Sequence, residues 1–487
     1  MNTGLVLGAV AGLLLATIIL GAYGLRISRT TSDFYVASRS VRPVWNASAI
    51  SGEYLSAGTF LGLAGLVLLS GSEGFWFPIG YAAGYLLVLL FVGAPLRRSG
   101  AYTIPDFIQA RTQSRAARHV TSVVVLVIGW LYIVPQMHGA ALTLQVVAGL
   151  PLWVGAVLVA IVVGGVVAAG GMRAVTAVQA FQYWLKLTAL AVPVAFLCIA
   201  LSDHAATIDP HLIFPVERGP GGADLYGTLS LMLALLLGTI GLPHVLVRFY
   251  TSPDGPSARR ATVMVIVLVG AFYAVSSTMG LIARIAAPDL AKPGLADTVV
   301  LELPSRVIGG VWGDVLTALI VAGAFAAFLA TSSGLIVSLA GVVSQDLFTG
   351  SVRSFRLAAV ICALVPLGFS FLTVPEGLVS SVGQVFVFAA SSLTPVMLLG
   401  VWWPRMTAKG AIVGMVVGAL ACGAAMIGTA LNLNSAWLAA VLAQPAAWTI
   451  PLTTATVFVV SLLDKNGAPA GTPQFLARLH LPESHAR

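Results

Sequence analysis

Thirteen apolar runs, each long enough to cross a bilayer, occupy most of this chain. They fall at about 4–25, 44–70, 75–96, 119–149, 152–170, 174–201, 226–247, 262–287, 310–345, 357–374, 378–402, 411–431 and 446–463. A helix needs ~20 apolar residues to cross the ~30 Å hydrocarbon layer, and ~18 suffice to nominate one. In lipid every backbone N–H and C=O must be satisfied inside the protein, so a chain patterned this way folds as a bundle of helices. The polar stretches between runs are too short for a soluble domain, which makes residues 1–487 a single integral membrane domain. A further apolar stretch, 435–445, is too short to cross and reads as interfacial.

Charge sets the orientation. Only 9% of residues are charged and 58% are hydrophobic, against about 25% charged in soluble domains. With the N-terminus outside, twenty of the 25 Lys and Arg fall on the cytoplasmic side and four, Arg218, Arg284, Lys292 and Arg306, fall outside. The remaining one, Lys186, lies within a run. This is the positive-inside pattern, with N-terminus out and C-terminus in. It also accounts for the net charge of +8 without invoking nucleic acid. Cys198, Cys362 and Cys422 are scattered through apolar runs and form no disulfide or metal pattern. The first run has no basic start and is kept as a mature helix rather than a signal. The location implied is the plasma membrane, multi-pass, with lipid as the surrounding partner.

Two runs are interrupted at mid-membrane. In 226–250, YGTLSLMLALLLGTIGLPHVLVRFY, Gly238, Gly241 and Pro243 surround His244. In VWNASAISGEYLSAGTFLGLAG, Ser48, Ser51, Gly52, Ser56 and Gly58 surround Glu53. A helix opened at bilayer depth must turn its freed backbone groups toward protein, water or a solute. The second broken run is the fifth after the first, so the bundles they begin have opposite orientation, the pointer to an inverted-repeat secondary transporter with a midplane site.

The residues resemble those of the sodium/solute symporter family, and within it the cation/acetate and short-chain monocarboxylate permeases. The likeness rests on SDFYVASRSV, AISGEYLSAGTFLG, GGMRAVTAVQAFQYWLK, GTIGLPHVLVRFYTSPD, SLAGVVSQDLF and FAASSLTPVMLLGVWWPRMTAKGAIVG, spread over most of residues 30–420. The resemblance implies an all-α, leucine-transporter-type five-plus-five inverted repeat. In this chain that means an extra helix at 4–25, repeats at 44–201 and 226–402, additional helices over 411–463 and a cytoplasmic tail at 464–487. It also implies a sodium site built from the carbonyls of Ala47 and Ile50 and from Ala327, Ala330 and Thr331. Ala330 lacks the hydroxyl the family often has there, and Ser332 is the candidate replacement, or else the site is weaker or serves protons. Carbonyls and neutral hydroxyls suit a hard cation; the plainer alternative is that the Thr331–Ser332 hydroxyls bond carbonyls one turn back.

Ionisable groups inside membrane spans are functional candidates by default. Glu53 is placed to take protons, face the cation or anchor the opened backbone. His138 either lines the solute path with Gln136 or bonds a carbonyl. Lys186 either snorkels or pairs, or attracts an anionic substrate, and Arg248 is expected to reach headgroups. The candidate substrate residues are Glu53, Tyr54, Thr59, Gln136, His138 and Gly241. The expected function is secondary active symport of sodium, or protons, with a small organic anion such as acetate. Proline, another amino acid or a sugar is the alternative. A channel would show rings of like charge or pore loops, and an ATP-driven pump would show GxxxxGK[ST]; neither pattern is present. The seven histidines are too dispersed for a haem or metal centre, so no enzyme and no cofactor beyond the coupling ion is expected. The oligomeric state is open at this level, and a sensor role is disfavoured by the short tail.

Overall fold

The computed structural model describes residues 2–202, 222–292, 294–373, 377–429 and 435–481, and every regular element among them is helical. Helices α1 (Thr3–Ile27) and α2 (Thr31–Val36) lead to the first broken span, α3 (Pro43–Tyr54) and α4 (Leu63–Ser70). Next come α5 (Trp76–Phe91), two short helices α6 (Gly93–Ser99) and α7 (Ile104–Thr112), α8 (Arg115–Ala148) and α9 (Leu152–Ala200). The second broken span is α10 (Gly222–Gly241) and α11 (Pro243–Val247), followed by α12 (Gly255–Ala286), α13 (Val299–Val307), α14 (Gly310–Asp346) and α15 (Val352–Leu372). The chain continues through α16 (Leu378–Ser392), α17 (Thr394–Trp402), α18 (Ala408–Thr429), α19 (Ala436–Ala443), α20 (Ala446–Leu463) and α21 (Thr472–His480).

Among the described residues, ten helical stretches are long and apolar enough to cross a membrane, and eleven if α16 and α17, bent by 41°, form one span. Two pairs of apolar runs are each joined within one stretch, Gly58–Phe91 and Leu152–Ala200. A straight helix of α9's 49 residues would be ~74 Å long, over twice the ~30 Å hydrocarbon layer. Gly171, with φ 55° and ψ −150°, interrupts it. Only glycine takes that conformation without steric cost, and a β-carbon there would also strike the Phe34 backbone at 2.6 Å.

The basic loops converge on one end of the bundle. Arg173 beside the Gly171 break pairs with Asp33 of α2 at 2.9 Å, and Tyr35 donates to Ser344 Oγ at 2.9 Å. Arg118 joins Asp106 of α7 and Asp346 of α14, while Arg39 donates to the Gly100 carbonyl at 2.7 Å. Buried Arg111 donates to the carbonyls of Gly400, Trp403 and Pro404 and to Thr472 Oγ1, fastening α21 to this end. Thr30 with Asp33 and Thr103 with Asp106 form capping boxes that fix the starts of α2 and α7.

Helix α14 is the central post. In its most apolar window 89% of residues are buried, against 28–61% for the other candidate spans. Its Gly, Ala, Ser and Thr content is what allows neighbouring backbones to approach on every side, the usual composition of helix contacts in lipid. Helix α19, at the expected interfacial stretch, has no buried residue. Most of the loop 202–225, including Asp203, Asp209 and Glu217, falls outside the described residues.

Candidate functional site

An α-helix leaves its last carbonyls without partners, and at the end of α3 those carbonyls are satisfied by side chains from other helices. The Leu55 N–H still reaches the Ser51 carbonyl at 3.1 Å. Lys186 Nζ of α9 then donates to the Gly52 carbonyl and, at 2.8 Å, to the Leu55 carbonyl. Thr331 Oγ1 of α14 donates to the Glu53 carbonyl at 2.6 Å. On the far side of the gap the Ala57 N–H donates to Gln136 Oε1 of α8 at 2.8 Å, and a π-helical turn over Gly58–Gly62 restarts the span. The opening therefore lies at residues 55–56, just after Glu53 and Tyr54.

The second opening is at Leu242, which has extended backbone (φ −83°, ψ 117°) between α10 and α11. Just past α11, Arg248 Nε meets Glu53 Oε2 at 2.5 Å, with both side chains sealed from solvent. The same guanidinium donates to Thr176 Oγ1 at 2.8 Å and to Gln179 Oε1. Gln179 in turn donates to the Ala330 carbonyl at 2.7 Å. One buried network thus joins both broken spans to α9 and α14. Two glycines make the approach possible: a β-carbon at Gly334 would collide with the Glu53 carboxyl, and one at Gly52 with the Gln179 carbonyl.

Arg248 was expected at the headgroups and is instead fully buried; Lys186 is fully buried too, which rules out snorkelling among the readings offered for it. Their partners across the bundle hold them there, because an unpaired cation at this depth would cost far more. Two cations, Lys186 and Arg248, face one carboxylate, Glu53. Against this cluster stands an aromatic wall. Tyr54 packs edge-on against Tyr85 at 4.6 Å and Phe386 at 6.1 Å, and Tyr132 does so against His244 at 5.0 Å and Phe386 at 6.1 Å. Among the described residues, neither ring nitrogen of buried His244 nor the hydroxyl of buried Tyr85 has a hydrogen-bond partner. Sequence reasoning singled out neither Tyr132 nor Tyr85, whose type and setting look like ordinary packing. His244 was noticed for its place beside the break.

The other candidates divide. Tyr54 lies at the first opening, its hydroxyl on the Tyr81 carbonyl (3.0 Å) and Thr239 Oγ1 (3.2 Å). Gln136 caps the opened backbone, and Thr59 Oγ1 bonds the Ser56 carbonyl within its own turn. His138 sits apart, on the Ser370 carbonyl at 3.0 Å. There it borders an 840 Å³ groove between α8, α15, α16 and α18 whose walls include Trp130, Phe369 and Gln384. Gly241 has no positive φ; its role is close packing, since a β-carbon would lie 2.5 Å from the Ala389 carbonyl and 2.7 Å from Thr394 Oγ1.

Of the set expected to hold sodium, most oxygens already have protein partners. Ala47 and Ile50 are buried inside the intact part of α3, where carbonyls are turned to N–H groups four residues on. Ala327 and Ala330 offer no side-chain oxygen, and the Ala330 carbonyl accepts from both Gln179 and Ser333. The Thr331 hydroxyl is committed to Glu53, and Ser332 Oγ alone among these side-chain oxygens is buried without a partner. A hard cation requires several oxygens at once.

A helical bundle with two spans opened at the same depth, joined through a sealed polar cluster, is the architecture of a secondary transporter. The sequence profile of the sodium:solute symporter family matches residues 34–418, and the chain belongs to that family. It is 31% identical over 441 residues to an uncharacterized symporter, YwcA, of Bacillus subtilis (strain 168), covering 86% of this chain and 84% of that one. It is also 31% identical over 436 residues to a monocarboxylic acid transporter of Corynebacterium glutamicum, covering 81% and 78%. Among solved structures, a Na+-coupled sialic acid symporter in a substrate-bound outward-open state superposes with a TM-score of 0.73 at 16% identity, covering 96% of this chain and 98% of that one. A nucleobase-cation-symport-1 family transporter, MHP1, gives 0.58 at 13% identity, covering 93% and 99%. The fold is therefore the leucine-transporter type, and the protein is a multi-pass membrane symporter rather than an enzyme.

Proposed function

We propose that this symporter takes up a small monocarboxylate such as acetate, together with an inward-moving cation, sodium as in the family or a proton. Repeats 44–201 and 226–402 form the two halves, and the N-terminus lies outside. The observation that carries the reading is the charge at the openings: two buried cations against one buried carboxylate, with His244 and Tyr85 offering unpartnered polar atoms nearby. A monoanion neutralises that excess, whereas an amine would add to it and a sugar or zwitterion would leave it uncompensated. The walls of Tyr54, Tyr132 and Phe386 suit a short apolar tail. The C. glutamicum relative, a monocarboxylic acid transporter, supports the same substrate class.

The test is uptake of labelled acetate, pyruvate and proline into proteoliposomes under separately imposed sodium and proton gradients. The reading expects acetate or pyruvate to accumulate and unlabelled short acids to compete. Accumulation of proline alone would replace it with the amino-acid alternative.

A further inference from the structure

The carbonyls freed at the α3 opening already have a cation built into the chain. We propose that the Lys186 ammonium occupies that position as a tethered cation, so that no sodium ion is bound there and uptake does not require sodium. What matters is where the freed carbonyls of Gly52, Glu53 and Leu55 go. The helix end exposes the carbonyls of Gly52, Glu53 and Tyr54 and the linker exposes that of Leu55. Lys186 Nζ takes Gly52 and Leu55, and Thr331 takes Glu53. An ammonium carries three donors on a compact point charge, which is what a pair of convergent carbonyls would otherwise seek from a metal ion. The side chain reaches them from α9 while remaining wholly buried.

Charge gives the same answer independently. Lys186 and Arg248 against Glu53 already leave one uncompensated positive charge in a sealed, low-dielectric cluster. A sodium ion added beside them would leave a cationic excess even with a monocarboxylate bound. With the ammonium as the resident cation, the carboxylate alone closes the balance. This step rests on the proposed monocarboxylate reading for the substrate, but the assignment of the carbonyls to Lys186 does not.

The experiment uses the full-length protein in two formats. In proteoliposomes, acetate uptake by the parent is compared in sodium and choline media at fixed pH and membrane potential, and the expected result is less than a twofold difference. A tenfold or greater sodium requirement overturns the proposal. In detergent, thermal unfolding is followed from zero to 200 mM NaCl (~0.2 M, where exposed charges are largely screened) against choline chloride. The parent is expected to show no sodium-specific shift, and Lys186→Ala to acquire one because two carbonyls are released. A sodium-specific shift in the parent, or Lys186→Ala that folds without one, overturns the proposal. Should Lys186→Ala not fold, the parent arm decides alone. If the parent takes up no monocarboxylate under any gradient, the substrate reading falls, while the sodium-specific shift still decides the role of Lys186.

Discussion

Removing either partner of the Glu53–Arg248 pair should destabilise the protein unequally. In Glu53→Gln the two cations lose their only carboxylate, and the cost expected for stranding a buried charge is about 3–5 kcal/mol. In Arg248→Met the carboxylate keeps Lys186 nearby, while Thr176 and Gln179 lose hydrogen bonds to a charged group, so the expected loss is about 1.5–3 kcal/mol. The double substitution restores the charge excess of the parent and should recover at least ~1.5 kcal/mol of the summed single losses, a coupling typical of residues in direct contact. Equilibrium unfolding in mixed micelles, followed by tryptophan fluorescence, measures all four proteins. If Glu53→Gln loses no more than Arg248→Met, or if the two losses add within ~0.5 kcal/mol, the pair is not the charge-balanced unit described above.

Four further outcomes are expected. Gly241→Val should insert normally but lose uptake, because its side chain enters the space of the Ala389 carbonyl and Thr394; parental transport by that variant would refute the close packing. Thr331→Ala should lower stability by about 1 kcal/mol, the usual worth of one hydrogen bond, with Thr331→Ser restoring it in the same unfolding assay. His244→Phe should raise the half-saturating acetate concentration at least tenfold without changing the unfolding temperature, and an unchanged value would remove His244 from the substrate site. Although burial raises the Asp33 carboxyl, hydrogen bonds from Ser38 and from the Thr30 and Arg29 amides outweigh it and hold the group well below the usual carboxylate range. Its stabilising contribution is accordingly present above the unfolded value of ~3.9 and fades as pH falls below it. Asp33→Asn should therefore be less stable than the parent at pH 7, with the gap unchanged down to about pH 5.

The bundle was legible because hydropathy in lipid is a nearly complete code: runs of apolar residues must become helices. The two opened spans were legible from Ser and Gly clustered around Glu53 and from Gly and Pro around His244. What the sequence hid were relations between distant residues. Arg248 looks like a headgroup anchor at the end of a run, and only the placement of the turn after α11 beside α3 and α9 shows that it is buried on Glu53. Lys186 likewise reads as a residue with a long stem able to snorkel, since its position relative to the α3 carbonyls depends on how α9 folds back at Gly171. Gly241 was chosen for backbone freedom and is needed for close contact instead. The bend at Leu393 left no sign, because Pro395 falls in the first turn of α17, where proline is well tolerated.

Because Glu53 and Arg248 are clasped, the α3 segment before the first opening and the chain just after the second are mechanically one piece. Exposure of the site toward the end where the basic loops gather can come about by swinging that piece as a rigid lever, with its ion pair intact. The other route separates the ion pair inside the membrane, and a barrier of ~3–5 kcal/mol would slow each cycle by roughly a hundredfold to a few thousandfold. A symporter fastened in this way would therefore turn over at a rate set by how easily the lever hinges at Leu55 and Leu242, the two places where its rod is already cut.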